Sequence, residues 1–78
     1  MTAKEKISKN LKYQMEKNNI SVKFLANRVG LSERSIRNFM SGKSAPRFAQ
    51  LLTMCRVLGV SADYLLGVVD EFGNKILE

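Results

Sequence analysis

The stretch from Val22 to Ser41, VKFLANRVGLSERSIRNFMS, decides how this chain of 78 residues folds. Val22, Leu25, Ala26 and Val29 recur at the i, i+3, i+4, i+7 spacing of one helical face, and Ser21 before them is a good N-cap. Gly30 ends that helix, because a glycine adopts the left-handed conformation that closes a last turn without the steric cost of a Cβ. Two residues later Ser32 offers another N-cap, and Ile36, Phe39 and Met40 form the apolar stripe of the next helix. With so short a link the two helices must cross steeply, and Ala26 is small enough to let them approach. Leu25, Val29, Leu31, Ile36 and Phe39 supply the shared core, which leaves Glu33, Arg34, Arg37 and Asn38 on the outward face of the second helix. Long polar donors near a helix start suit a helix that enters a DNA major groove.

Upstream, Ile7, Leu11 and Met15 at four-residue spacing predict an amphipathic helix of about three turns ending near Asn18-Asn19. Downstream, Ser41-Gly42-Lys43-Ser44-Ala45-Pro46 is a loop of small residues closed by the only proline. Phe48, Leu51, Leu52, Cys55 and Leu58 then predict a fourth helix stopped by Gly59. Ser61, with Asp63 in the first turn, starts a short fifth helix carrying Tyr64, Leu65 and Leu66. Five short helices joined by tight turns make an all-α bundle. In the tail, Val68-Val69 and Ile76-Leu77 flank Gly73-Asn74, a dipeptide suited to a two-residue hairpin turn. Two readings of the tail stay open, a small β-hairpin and a frayed or disordered end.

Composition narrows the function. A chain of 78 residues forms one domain, and no apolar run approaches the roughly 18 residues of a membrane span. The start, Met1-Thr2-Ala3-Lys4-Glu5-Lys6, is of mixed charge and unlike a signal peptide, so the expected location is the cytoplasm. Cys55 is the only cysteine and histidine is absent, which removes Ser/His and Cys/His couples, imidazole ligands and cysteine-rich metal clusters. No catalytic residue, metal or cofactor is expected. Asp63, Asp70, Glu71 and Glu78 lie near the C-terminus, where a helix start or an exposed tail explains them. Cys55 is in phase with Leu51, Leu52 and Leu58 and reads as a small core residue, and packing likewise explains Met15, Met40 and Met54. Tyr13 and Tyr64 are expected half-buried with their hydroxyls in water, and either could border a dimer contact.

The net charge of +6 is unevenly distributed. Residues 1–56 hold twelve of the thirteen Lys/Arg and three of the seven acids, a net +9, whereas residues 57–78 carry a net −3. A basic body attracts phosphate backbones. A membrane surface fits less well, because the cations are spread over several helices instead of lining one amphipathic face.

With these features in place, the chain resembles the phage repressor and Cro-type helix-turn-helix proteins, whose DNA-binding domain is called lambda-repressor-like. The resemblance runs from about Leu11 to Leu66. It rests on Leu25-Ala26, Val29-Gly30-Leu31-Ser32, Ser35-Ile36, Ser41-Gly42-Lys43 with Pro46 after it, and Leu58-Gly59-Val60-Ser61 leading into Tyr64-Leu65-Leu66. It implies a five-helix, non-enzymatic transcriptional regulator, a repressor of phage or mobile-element type, that binds double-stranded DNA as a homodimer on a palindromic operator. Residues 1–67 would form the DNA-binding domain, with 68–78 a tail able to dimerise. Dimerisation could use tail strands from Val68 to Leu77 or helix-to-helix packing of Leu65 and its neighbours, with a monomer left open.

The resemblance makes Glu33, Arg34, Arg37 and Asn38 the base readers. The side chains agree: the Arg34 fork matches the two acceptors of guanine, and Asn38 pairs with adenine in the same bidentate way. Arg37 reaches a base or the backbone. Glu33 either accepts from a cytosine amino group or stabilises its helix dipole. Ser21, Ser32, Ser41, Lys43 and Arg47 are the candidate phosphate contacts, with solubilising roles as the plain alternative for Lys43 and Arg47.

Two positions depart from the family pattern. Val22 stands where a phosphate-gripping glutamine is common, which leaves the contact to backbone N–H groups and the Ser21 hydroxyl. Met15 and Met40 stand where an arginine–glutamate pair is common, so an apolar, sulfur-rich contact is expected there. Val22 and the acidic, apolar tail also motivate an alternative, a protein-interaction module of the same fold such as an antitoxin or an anti-repressor.

Overall fold

The computed structural model describes residues 1–76 and contains five helices, α1 (Ala3–Lys17), α2 (Val22–Val29), α3 (Glu33–Met40), α4 (Phe48–Leu58) and α5 (Ala62–Leu65). Leu77 and Glu78 lie outside the described residues, and with them the end of the expected second tail strand and one of the expected tail acids.

One turn device is used three times. Asn19-Ile20-Ser21, Gly30-Leu31-Ser32 and Gly59-Val60-Ser61 each place a left-handed residue, then an apolar residue, then a serine N-cap. The apolar residue's N–H reaches back to the preceding helix, from Ile20 to the Met15 carbonyl at 2.8 Å, Leu31 to Ala26 at 3.0 Å and Val60 to Cys55 at 3.0 Å. This closes the helix end in the Schellman manner, and the same three side chains pack against the core. Each serine Oγ then accepts the N–H three residues on, from Phe24, Ser35 and Tyr64. Gly30 has φ 72° and open space where a Cβ would stand, so Gly30→Ala meets a conformational cost and no clash. We expect a loss of about 1 kcal/mol, with Gly30→Asn losing less, read as the shift in a urea midpoint.

α1 is a full 15 residues, longer than the apolar spacing suggested. A capping box explains the extra turn: the Glu5 N–H donates to Thr2 Oγ1 at 3.2 Å, and the Thr2 N–H donates to Glu5 Oε1 at 3.0 Å.

The core joins Ile7, Leu11 and Met15 of α1, Leu25 and Ala26 of α2, Ile36 and Phe39 of α3, Leu51, Met54, Cys55 and Leu58 of α4, and Leu65 of α5. α1 packs on α3 and α5, α2 on α3 and α4, and α4 on α5. Burial pushes the Cys55 thiol above its usual pKa, as its place among apolar neighbours requires. Two aromatic expectations fail. Tyr64 is buried, not half-exposed, and its hydroxyl accepts from Gln14 Nε2 at 3.2 Å because α1 lies directly over it. Phe48 is 72% exposed, since as the first residue of α4 it precedes the turn that packs.

Past α5 the chain forms a ribbon instead of a frayed end. Val69 and Lys75 make an antiparallel bridge, flanked by the Asp70 N–H on the Asn74 carbonyl (2.8 Å) and the Ile76 N–H on the Val68 carbonyl (3.1 Å). The loop is Glu71-Phe72-Gly73, three residues and not the expected two-residue Gly73-Asn74 turn. Asp70 Oδ1 accepts the N–H groups of Phe72 and Asn74, both at 2.9 Å, which sets the turn earlier and leaves Gly73 as the left-handed residue (φ 85°). Those backbone donors, Asn74 foremost, hold the Asp70 carboxyl below its ordinary pKa. Glu71 ties the ribbon to α1 through Lys17 Nζ at 3.0 Å and the Tyr13 hydroxyl at 3.4 Å. Leu65 itself is fully buried in its own core, while its neighbours Asp63 and Val68 are exposed and Leu66 is partly so.

Candidate nucleic-acid interface

α3 is held by its inner face and presents its outer one. Ile36 and Phe39 are buried, while Arg34 and Arg37 are exposed and Glu33 and Asn38 partly so. Positions 33, 34, 37 and 38 share one face at helical spacing, so all four expected base readers are together. They are not equivalent. Arg37 Nη2 pairs with Glu33 Oε1 at 3.1 Å along the helix, an exposed i, i+4 pair of a few tenths of a kcal/mol. Glu33 therefore has an intrahelical role, and Arg37 must leave it to reach a base. No ion pair or side-chain hydrogen bond engages Arg34 or the Asn38 amide among the described residues. The Asn38 carbonyl is occupied, accepting from Lys43 N–H (2.9 Å), Ser44 N–H (3.3 Å) and Ser41 Oγ (3.2 Å). These bonds fix the loop against the end of α3.

The five candidate phosphate contacts also differ. Ser21 accepts from Phe24 N–H at 3.0 Å and keeps its own proton for a partner. Ser32 donates its proton to Ser35 Oγ at 3.0 Å, and Ser41 donates to the Asn38 carbonyl, so both hydroxyls are engaged within the chain. Lys43 and Arg47 are exposed on the α3–α4 loop, where Gln50 Oε1 accepts the Arg47 N–H at 2.8 Å and orders the start of α4. At the start of α2 the first backbone bond runs from Leu25 to Ser21, leaving the Val22 and Lys23 N–H groups for an anion. The Val22 side chain packs against the core.

Two residues escaped sequence reasoning. Lys23 is an exposed cation beside those free N–H groups, and its place one residue behind Val22 was the available signal. Arg28 stacks over the Phe24 ring at 4.8 Å, an i, i+4 aromatic–cation pair. Acids are scarce around all of this: residues 34–62 hold Arg34, Arg37, Lys43, Arg47 and Arg56 and no Asp or Glu. Met15 and Met40 line one open concavity of about 400 Å³ with Ile20 and Val22, next to the start of α2. Glu16, Asn19 and Ser21 line the same concavity, so its wall is apolar only in part.

A family model described as helix-turn-helix matches residues 11–65, more than half of the chain. The chain belongs to the Cro/C1-type helix-turn-helix family. No significant match is found among curated proteins or among solved structures. The match spans α2, the turn at Gly30 and α3, and makes this a DNA-binding helix-turn-helix regulator. Among the described residues, the regulator has no helix long and apolar enough to cross a membrane.

Proposed function

We propose that this protein is a sequence-specific transcriptional repressor of phage or mobile-element type, reading the major groove with α3 as a homodimer on a palindromic operator. The supporting observation is the outer face of α3, where Arg34 and the Asn38 amide stand unengaged on a helix pinned by Ile36 and Phe39. Arg34 reads guanine and Asn38 adenine, with Arg37 and Glu33 as a paired element that opens on contact. Ser21, the free N–H groups behind it, Lys43 and Arg47 hold phosphates, and Ser32 and Ser41 add contacts if their hydroxyls turn.

Residues 1–67 form the reading domain, and residues 68–78 the dimerisation tail. Exposure supports that division, because Leu65 is buried while Val68, Phe72 and Ile76 of the ribbon are exposed. The molecule measures 34 × 22 × 22 Å, so two copies placed end to end along the long axis suit half-sites about 34 Å apart along the duplex. Selection of preferred sites from random duplexes tests the whole reading. The expected product is a palindrome with half-sites one helical turn apart. A single unpaired half-site would remove the homodimer, and absence of any enriched sequence would remove sequence-specific reading.

A further inference from the structure

We infer that the α1–ribbon groove is the dimer interface, with Phe72 of each copy seated in the groove of the other; this rests on the homodimer reading above. Phe72 is 80% exposed at the ribbon tip, the most exposed large apolar side chain described. It borders a concavity of about 260 Å³ lined by Lys9, Asn10, Tyr13, Tyr64, Asp70 and Glu71. Lys9 and Asn10 also line the adjoining hollow of about 200 Å³, whose rim carries exposed Met1 and Ile76. Knob and hollow thus lie on one patch, and a two-fold axis requires a patch complementary to itself.

Charge makes the same demand and meets it. Lys9 is exposed with no ion-pair partner among the described residues, and Asp70 and Glu71 line the same hollow. In a two-fold pair Lys9 of each copy faces the acids of the other, so attraction is satisfied twice. Phe72 lies beyond the last residue of the family match and contributes nothing to the buried core, so the fold of the reading domain does not account for it.

Sedimentation equilibrium of the full chain, with Phe72→Asp and Lys9→Glu beside it, tests the assignment. The wild type is expected to dimerise, and each substitution to weaken dimerisation at least ~10-fold while the melting curve stays in place. Single-cysteine variants Phe72→Cys and Lys9→Cys, each in a Cys55→Ala background, should form a mixed disulfide when oxidised together. A wild type that stays monomeric overturns the homodimer reading itself. A dimeric wild type whose Phe72→Asp variant dimerises equally well, or whose cysteine variants do not cross-link, overturns this interface and leaves the homodimer standing.

Discussion

Ile36→Ala is expected to cost about 2–5 kcal/mol, the range for truncating a buried isoleucine in a core that collapses only partly around the gap. Ile36 is completely buried on the inner face of α3, where helices from both sides meet it. A domain of 78 residues has about 4–12 kcal/mol of stability in total, at roughly 0.05–0.15 kcal/mol per residue. One substitution therefore removes a large share of it. At this size each kcal/mol shifts the midpoint by about 4–8 °C, so circular dichroism should show Tm falling by about 10 °C or more. DNA binding should survive at low temperature and vanish together with the helical signal on warming. A drop of under about 4 °C would mean that α3 is held by something other than its apolar face.

Arg34→Ala should act in the opposite manner, leaving the melting curve in place and damaging recognition. The Arg34 side chain is exposed and supports no other residue, so its loss removes nothing from the core. A good bidentate base contact is worth about 1–3 kcal/mol of discrimination, or roughly 5- to 150-fold in affinity for the preferred site. The preference at one base pair should relax while the rest of the site is still read, and Asn38→Ala should relax a different base pair. Arg37→Ala should cost less, because Glu33 already holds that guanidinium. Lys43→Ala provides the contrast, weakening all sequences alike and reducing the salt slope by about 1. Mobility shifts at two salt concentrations separate these outcomes. If Arg34→Ala behaved like Lys43→Ala, α3 would touch the backbone and not the bases.

The turn at Gly30 shows why so much of the reading surface was legible in the sequence. Local chemistry sets it: a left-handed glycine, an apolar residue that caps the helix end and a serine that starts the next helix are neighbours in the chain. The same chemistry at Gly59-Val60-Ser61 made the fifth helix readable. Apolar spacing then assigns the inner face of α3, and the outer four residues follow by subtraction. Asn19 closes α1 in the same way (φ 54°), where the sequence places its end near Asn18-Asn19.

Periodicity alone misplaced the side chains whose fate depends on distant residues. Phe48 fits the α4 stripe, yet no element covers the first residue of that helix. Tyr64 was expected to meet water, but Gln14 and Asn10, 50 and 54 residues earlier, cover it and its carbonyl. The Glu33–Arg37 pair and the engaged hydroxyls of Ser32 and Ser41 likewise separate the site residues by availability, a distinction that residue type does not carry.

The sequence by itself determined the five helices, the serine starts of α2, α3 and α5, the glycine ends of α2 and α4, and the identity of the outward residues on α3, because each follows from contacts within one or two helical turns. The tertiary structure alone decided which of those residues are unengaged, that Leu65 belongs to the core, and that a ribbon pinned by Glu71 to Lys17 and Tyr13 holds Phe72 beside a hollow on α1. Those outcomes depend on residues far apart in the chain, and only packing brings them within reach.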